Sequence, residues 1–193
     1  MRLTRTAAGL VVAAIALTAG VTGCGGGQPG HRRDAGPFAW LRPAPPPAGW
    51  KVARIPRGPA LAYPPGWKPI TTDPGTATVA LLGGGERIDG YLNATPKQGS
   101  ETLANWSHFR VDHNREEGSR QVRLVASAND LRFGSGRGSC VIDSYTTSKA
   151  AYREIACLVA GPSSTGVVVA AAPAELWHDR AATLHRAVSS FVP

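Results

Sequence analysis

The stretch CVIDSYTTSKAAYREIACLVA, residues 140–160, carries the strongest folding signal in this chain. Two runs rich in apolar and β-branched residues, 140–146 and 152–160, flank a polar centre, and this pattern is typical of an antiparallel β-hairpin. A turn in the middle of that centre places Cys140 directly opposite Cys157, at a separation that a disulfide bond can span. We therefore predict a Cys140–Cys157 disulfide that joins two neighbouring strands and stabilises the domain by about 3 kcal/mol.

Side-chain alternation along the hairpin agrees with this register. The other predicted pairs are Ile142 with Ile155 on the cysteine face, and Val141 with Ala156 and Tyr145 with Tyr152 on the opposite face. The register also brings Asp143 opposite Glu154, and like charges across a ladder repel each other. We expect an arginine close in sequence to neutralise them, with Arg123, Arg132 and Arg153 as the candidates. A weak cation site is the alternative, although two carboxylates alone make a poor calcium site.

The rest of the domain follows from turn signals and periodicity. Further strands are predicted over 76–82, 87–94, 121–128, 131–133 and 166–172, with extended pieces over 51–63 and a polar loop at 134–139. A first helix is predicted to begin near Ser100, a candidate N-cap, and to end before Gly118. A second helix follows Pro173, and its apolar stripe consists of Trp177, Ala181, Leu184, Val188 and Phe191. These elements predict one α+β domain with a mostly antiparallel sheet flanked by two main helices.

Both helices carry side chains that bear on function. Trp106 and Phe109 in the first helix are expected to pack against the sheet, and the alternative is that they line a ligand groove. The polar residues of the second helix lie off its apolar stripe and are expected to face water. They are His178, Asp179, Arg180, His185 and Arg186.

Residues 1–23 have the organisation of a bacterial lipoprotein signal peptide. Arg2 and Arg5 precede an apolar run at 7–18, and small residues then lead to Cys24. The pattern predicts a Cys24 that is lipidated, with palmitate as an acyl chain, and that anchors the protein to the outer face of the cytoplasmic membrane. A transmembrane helix and an ordinary secretory peptide are the alternatives. The apolar run is shorter than the ~20 residues of a span, however, and an odd exported thiol needs a reason.

Composition divides the exported chain into a tether and one domain. Residues 24–48 contain the runs Gly-Gly-Gly and Pro-Ala-Pro-Pro-Pro, which cannot bury a core, so we expect a flexible tether there. Residues 49–193 have the usual size of a single domain.

The formal net charge is +8, and scattered arginines without a basic block favour an envelope protein, a glycan or an anionic lipid as partner over nucleic acid.

Several short motifs give the domain a resemblance to a known family. They are YPPGW at 63–67, ETLANW at 101–106, VVVAAAP at 167–173 and the helix end SSF at 189–191. With the order of elements, they resemble the PsbP-like fold, an α/β/α sandwich, and within it the actinobacterial LpqN-type lipoproteins. The resemblance covers residues 49–193 and implies a binding or assembly module without catalysis. The polar 134–139 loop and the cysteine pair depart from that pattern.

The sequence contains no recognisable catalytic signature. Residues 134–140 lack the Gly-Lys-Ser/Thr ending of a phosphate-binding loop, and there is no Gly-x-Ser-x-Gly elbow. The helix histidines do not form the i, i+4 pair with an acid that zinc hydrolases use. We therefore predict a non-enzymatic binding or scaffolding module of the cell envelope, without metal or cofactor; an envelope hydrolase or transferase is the alternative. The candidate binding surface of this module consists of Arg110, His113, Arg115 and Arg137.

Overall fold

Nine β-strands and two α-helices make up residues 36–193, the part of the chain that the computed structural model describes. The predicted signal peptide and Cys24 lie outside these residues. The strands are β1 Lys51–Arg54, β2 Ala60–Tyr63, β3 Lys68–Pro69, β4 Ala77–Leu82, β5 Ile88–Pro96, β6 Arg120–Phe133, β7 Gly136–Thr146, β8 Ala151–Ala160 and β9 Thr165–Pro173. The helices are α1 Trp106–Glu116 and α2 Trp177–Ser189, and neither is long and apolar enough to cross a bilayer.

Seven of the strands form one antiparallel sheet in the order β3-β4-β5-β9-β8-β7-β6. The hairpin of β1 and β2 packs with α2 on one face of this sheet, and α1 packs on the other face. We call these the α2 face and the α1 face. Layers on both sides of a mostly antiparallel sheet confirm the predicted α+β class and sandwich architecture.

The β7–β8 hairpin has the predicted register. Cys140 lies opposite Cys157, the two α-carbons are 4.1 Å apart, and a disulfide joins the side chains. The remaining predicted pairs are also present, and Asp143 lies opposite Glu154. Because successive side chains point to opposite faces, the disulfide lies within the apolar cluster of the α2 face, whereas both carboxyl groups belong to the α1 face.

Two apolar clusters hold the layers together. On the α2 face, Leu184, Val188 and Phe191 of the C-terminal segment are almost fully buried against the sheet, which confirms the predicted stripe at these positions. On the α1 face, a smaller cluster surrounds Trp106. The β9 strand contributes to both clusters, because it lies at the centre of the sheet and both of its faces are covered, an environment that its valine- and alanine-rich sequence fits.

The predicted loop at 134–139 is mostly strand. β6 extends to Phe133, with bulges along its pairing with β7, and β7 begins at Gly136, so only two residues form the turn. A Cβ at Gly138 would lie 2.7 Å from the Phe133 ring and 2.9 Å from the Leu158 carbonyl oxygen. Gly138 therefore allows close approach of the neighbouring strand and of the Phe133 ring, whereas the sequence predicted that it belongs to a loop.

The α1 helix begins at Trp106, later than predicted. A helix that begins near Ser100 would place Glu101 in its first turn, but Glu101 is buried, and its carboxylate accepts backbone N–H bonds from Gln98 at 2.7 Å and Gly99 at 2.8 Å. The residues after Ser100 form turns before the helix starts. Local side-chain bonding to the backbone has thus replaced the first helical turn.

Residues 36–48 pack on the domain, whereas the sequence predicted that they belong to a flexible tether. Phe38 is 6% exposed and joins the apolar cluster of the α2 face. Ser189, at the end of α2, accepts backbone N–H bonds from Arg42 through Oγ at 3.4 Å and from Ala44 through its carbonyl at 3.3 Å. We call residues 36–50 the N-terminal strap. The rest of the predicted tether, residues 24–35, lies outside the described part of the chain.

Candidate functional site

A groove of about 810 Å³ lies on the α1 face of the sheet. It exists because α1 has only eleven residues, about 16 Å of helix, and packs over β6, β7 and β8. Beside the helix, Val167, Val169 and Ala171 of β9 form an apolar floor, and Asn93 and Thr95 of β5 add hydrogen-bonding groups. The groove is therefore the part of the sheet that the short helix leaves uncovered.

An aromatic row on α1 forms one wall of this groove. The rings of Trp106 and Phe109 stack at 6.0 Å between centroids, and those of Phe109 and His113 stack at 6.1 Å. Trp106 is buried and its Nε1–H donates to the Ala156 carbonyl at 2.9 Å, which confirms the predicted packing against the sheet. Phe109 is partly exposed, so it contacts the core and also lines the groove.

One end of the groove contains a buried ion pair. Arg110 Nε donates to Glu154 Oε1 at 2.6 Å and Nη2 donates to Oε2 at 3.0 Å, while the Tyr145 hydroxyl donates to Oε2 at 3.2 Å. The Arg110 side chain is 11% exposed and that of Glu154 only 1%. A bidentate pair of this kind fixes the helix to the sheet at a defined position.

The arginine that neutralises Glu154 is therefore Arg110, and the prediction of a neighbour in sequence was wrong. Arg153 projects to the α2 face, where its guanidinium lies 5.2 Å from the centre of the Trp177 ring, because adjacent strand residues alternate in direction. Arg123 and Arg132 lie exposed on β6. The guanidinium also takes the position that the alternative, a weak cation site, would need.

Asp143 is the second carboxyl group of this cluster and is completely buried. Asn114 Nδ2 donates to its Oδ2 at 3.1 Å, and its Oδ1 has no hydrogen-bond partner among the described residues. Burial, followed by the charge of Glu154, raises the pKa of Asp143 to about 8. Burial also raises the pKa of the Tyr145 hydroxyl. Both groups therefore keep their protons at neutral pH, and the cluster carries no net charge.

The groove lining is acidic although the whole chain is basic. Four carboxylic residues and two basic residues line it, namely Asp73, Glu101, Glu117 and Glu154 against Arg110 and Lys149. At the rim, His113 Nε2 lies 3.1 Å from Glu117 Oε1. This balance favours a neutral or cationic ligand in the groove, since an anion would meet an excess of negative charge.

The four residues predicted as one binding surface do not lie together. Arg110 and His113 both line the groove, but Arg115 is exposed and its Nη1 donates to Asp112 Oδ1 at 2.7 Å. Arg137 lies six positions from Asp143 along β7, about 20 Å away by strand geometry, and it pairs with Asp130 at 2.6 Å. The reason is that β7 begins at Gly136, so Arg137 belongs to a strand and not to a loop that could fold back towards α1.

Sequence reasoning also missed several residues that build the groove. Asn114 and the stacked rings of Tyr145 and Tyr152, 5.8 Å apart, line its polar end. The available signal was the hairpin register, which places both tyrosines on the same face as Asp143 and Glu154. The β5 residues gave no signal, because their contribution depends on β9 lying next to β5 in the sheet.

A second, shallower depression of about 300 Å³ lies between the N-terminal strap and α2. It is lined by Trp40, Arg42, Ala182, His185, Arg186 and Ser189. The rings of Trp40 and His185 stack with 4.0 Å between centroids and 5° between planes. Burial, followed by the charge of Arg153, lowers the pKa of His185 to about 4. His185 was expected to face water, but the strap covers it and keeps it neutral.

Comparison with solved structures identifies the fold. Cyanobacterial PsbP (CyanoP) from Synechocystis sp. PCC 6803 matches with TM-score 0.57 and 14% identity over 76% of this chain and 93% of that chain. PA94, a protein of unknown function from Pseudomonas aeruginosa, matches with TM-score 0.50 and 12% identity over 75% and 96% of the two chains. These likenesses show a PsbP-like fold and nothing finer.

LpqN of Mycobacterium tuberculosis, described as involved in cell envelope biogenesis, matches with TM-score 0.35 and 15% identity over 77% of this chain and 82% of that chain. A TM-score below 0.5 does not show a shared fold, so membership of the LpqN-type group stays a prediction. No protein-family model matches the sequence. No curated protein matches it either.

Proposed function

We propose that this chain is an exported lipoprotein, anchored through Cys24 to the outer face of the cytoplasmic membrane, that binds an envelope ligand without catalysing a reaction. The observation that carries the binding part is the preformed groove beside α1, which combines an apolar floor, an aromatic wall and hydrogen-bonding groups. The leader sequence before Cys24 supports the anchoring part.

The charged groups of the groove support a binding role over proton-transfer chemistry. Both oxygens of Glu154 accept hydrogen bonds, from Arg110 and Tyr145, so this carboxylate is not available as a general base. Asp143 and Tyr145 hold their protons because of the raised pKa values described above. The cluster of Arg110, Glu154, Asp143 and Tyr145 therefore has a structural role, because it fixes α1 to the sheet and preserves the shape of the groove.

The alternative function, an envelope hydrolase or transferase, is favoured by one observation. His113 lies at the rim with a carboxylate partner, and a histidine held in this way can act as a general base. Its Nε2 faces Glu117 and its ring stacks on Phe109, which leaves Nδ1 for a substrate. Hydrolysis of p-nitrophenyl butyrate that disappears in His113→Gln would support the hydrolase, whereas equal, buffer-level rates in both proteins would contradict it.

Native mass spectrometry of the protein purified from its own membrane tests the binding proposal. Thr95→Trp places a large ring in the groove, and Ser127→Trp places the same ring on the exposed face of β6 as the matched control. We expect wild type and Ser127→Trp to carry the same bound non-protein mass and Thr95→Trp to lose it. Retention of that mass by Thr95→Trp would exclude the groove, and an unmodified Cys24 in the same spectra would contradict the anchor.

A further inference from the structure

We propose that the depression between the N-terminal strap and α2 is a second binding site, which takes the phosphate-bearing headgroup of an anionic membrane phospholipid. This site lies on the α2 face of the sheet and shares no lining residue with the groove on the α1 face. Headgroup binding at this depression does not depend on what the groove binds.

Two arginines supply the positive charge of the depression. Arg42 comes from the strap and Arg186 from α2, and within residues 36–193 neither guanidinium has an acidic partner at ion-pair distance. Two guanidinium groups beside one concavity repel each other, and an anion between them removes that repulsion. Guanidinium groups also match the oxygens of a phosphate through paired N–H donors.

Neutral side chains complete the chemistry of the depression. Ser189 Oγ accepts the backbone N–H of Arg42, and its own hydroxyl proton can be donated to a phosphate oxygen. Trp40, held flat against His185, gives the depression an aromatic edge of the kind that is enriched at the membrane–water interface. The site therefore combines anion-binding donors with an aromatic group suited to the interface.

The charge distribution of the domain points the same way. The segments 36–63 and 174–193, which build the strap, the β1–β2 hairpin and α2, contain six basic residues and two acidic residues. The basic ones are Arg42, Lys51, Arg54, Arg57, Arg180 and Arg186, and the acidic ones are Glu175 and Asp179. Val52 and Val192 on this side are 41% and 48% exposed. A basic surface with exposed apolar groups is attracted to an anionic bilayer, whereas the acidic groove is not.

The chain outside the described residues brings this face within reach of the bilayer. Eleven residues lie between Cys24 and Gly36, where the strap begins, and the twelve Cα–Cα steps from one to the other span at most about 43 Å. This step rests on the proposed anchor. With the strap and α2 against the headgroups, the groove on the opposite face of the sheet is turned away from the membrane and stays open to ligand.

Vesicle sedimentation of non-acylated protein tests the proposal, because Cys24→Ser removes any contribution from the anchor. Vesicles of phosphatidylcholine alone are compared with vesicles that also contain phosphatidylglycerol. We expect association only with the anionic vesicles, and a loss of about 30-fold in Arg42→Gln/Arg186→Gln, since each basic residue near the surface contributes about 1 kcal/mol. The matched control is Arg120→Gln/Arg123→Gln, which removes the same charge from exposed positions on β6.

Three outcomes would overturn the proposal. Equal losses in the two double variants would show that net charge alone, not this depression, attracts the protein. Binding of inorganic phosphate in calorimetry without vesicle association would identify free phosphate as the ligand. No association of the wild type with anionic vesicles would exclude the site. Thr95→Trp should bind vesicles like the wild type, so failure of the groove proposal is seen separately; thermal unfolding confirms that every variant is folded.

Discussion

Asp143 lies directly opposite Glu154 in the β7–β8 ladder, and of these two buried carboxyl groups only Glu154 is paired with a guanidinium, that of Arg110. If both carboxyl groups were ionised, the interior would hold an uncompensated negative charge, which costs several kcal/mol. Retention of a proton on Asp143 removes that charge. The repulsion that the sequence indicated is thus relieved by the Arg110–Glu154 ion pair and by the proton on Asp143. The ion pair also fixes α1 as the wall of the groove.

The first prediction concerns pH. We expect the free energy of unfolding to fall as pH rises from about 6.5 to about 8, because below about 6.5 the neutral His185, with its pKa lowered to about 4, offsets the effect of Asp143. Asp143 ionises near 3.8 in the unfolded chain but near 8 in the folded one. Between these values the folded state binds the extra proton, so its contribution is full at acidic pH and lost as pH passes 8. Urea unfolding across this range measures the slope, which Asp143→Asn should reduce.

Asp112→Asn serves as the control for this experiment, because Asp112 lies on the exposed side of α1 and its side chain is 61% exposed. It should unfold with the slope of the wild type. If Asp143→Asn kept that slope as well, the proton would not reside on Asp143 and the explanation of the opposed carboxyl groups would fail.

The second prediction concerns the ion pair that fixes α1. Arg110→Met should lower the free energy of unfolding by about 3–5 kcal/mol, because it leaves Glu154 buried without its partner. Arg115→Met removes an exposed arginine that pairs with Asp112 one turn away, and should cost less than about 1 kcal/mol. Urea unfolding compares the two. Similar costs for both would contradict a structural role for the buried pair, and Arg110→Met/Glu154→Gln should recover part of the loss.

Much of the sheet could be predicted because local pattern and geometry agree there. In the β7–β8 hairpin, period-two alternation and the Cys140–Cys157 pair independently select the same register. The valine–alanine run of β9 and the stripe of α2 are equally clear. In each element, the apolar residues that recur with its structural period are the ones buried against a neighbouring layer. These signals operate within one element or between neighbours in sequence.

The parts that could not be predicted depend on contacts between distant segments. Arg110 and Glu154 are 44 residues apart, and nothing near either residue indicates the other. The strap has the composition of a tether, and its order rests on Phe38 entering a cluster formed by distant parts of the chain, among them Leu61 and Phe191. The groove likewise requires β9 to lie between β5 and β8, an order that composition does not reveal.

The third prediction concerns the disulfide. Cys140→Ala/Cys157→Ala should lower the free energy of unfolding by about 3 kcal/mol, the chain-entropy estimate for cysteines 17 residues apart. Thermal unfolding with and without reductant measures the effect. The reductant should lower the melting temperature of the wild type and leave the double variant unchanged. An unchanged wild type would show that the bridge contributes little to stability in solution.

The last prediction concerns the strap as part of the folding unit. Phe38 is buried against the α2-face cluster, so Phe38→Ala should cost about 3–5 kcal/mol, whereas Pro45→Ala, at an exposed strap position, should cost much less. A chain that begins at Gly49 should melt lower than one that begins at Cys24, because it leaves this cluster open to water. Equal melting temperatures for the two chains would mean that residues 24–48 behave as the tether that their composition indicates, and the depression beside Trp40 would then lose its structural basis.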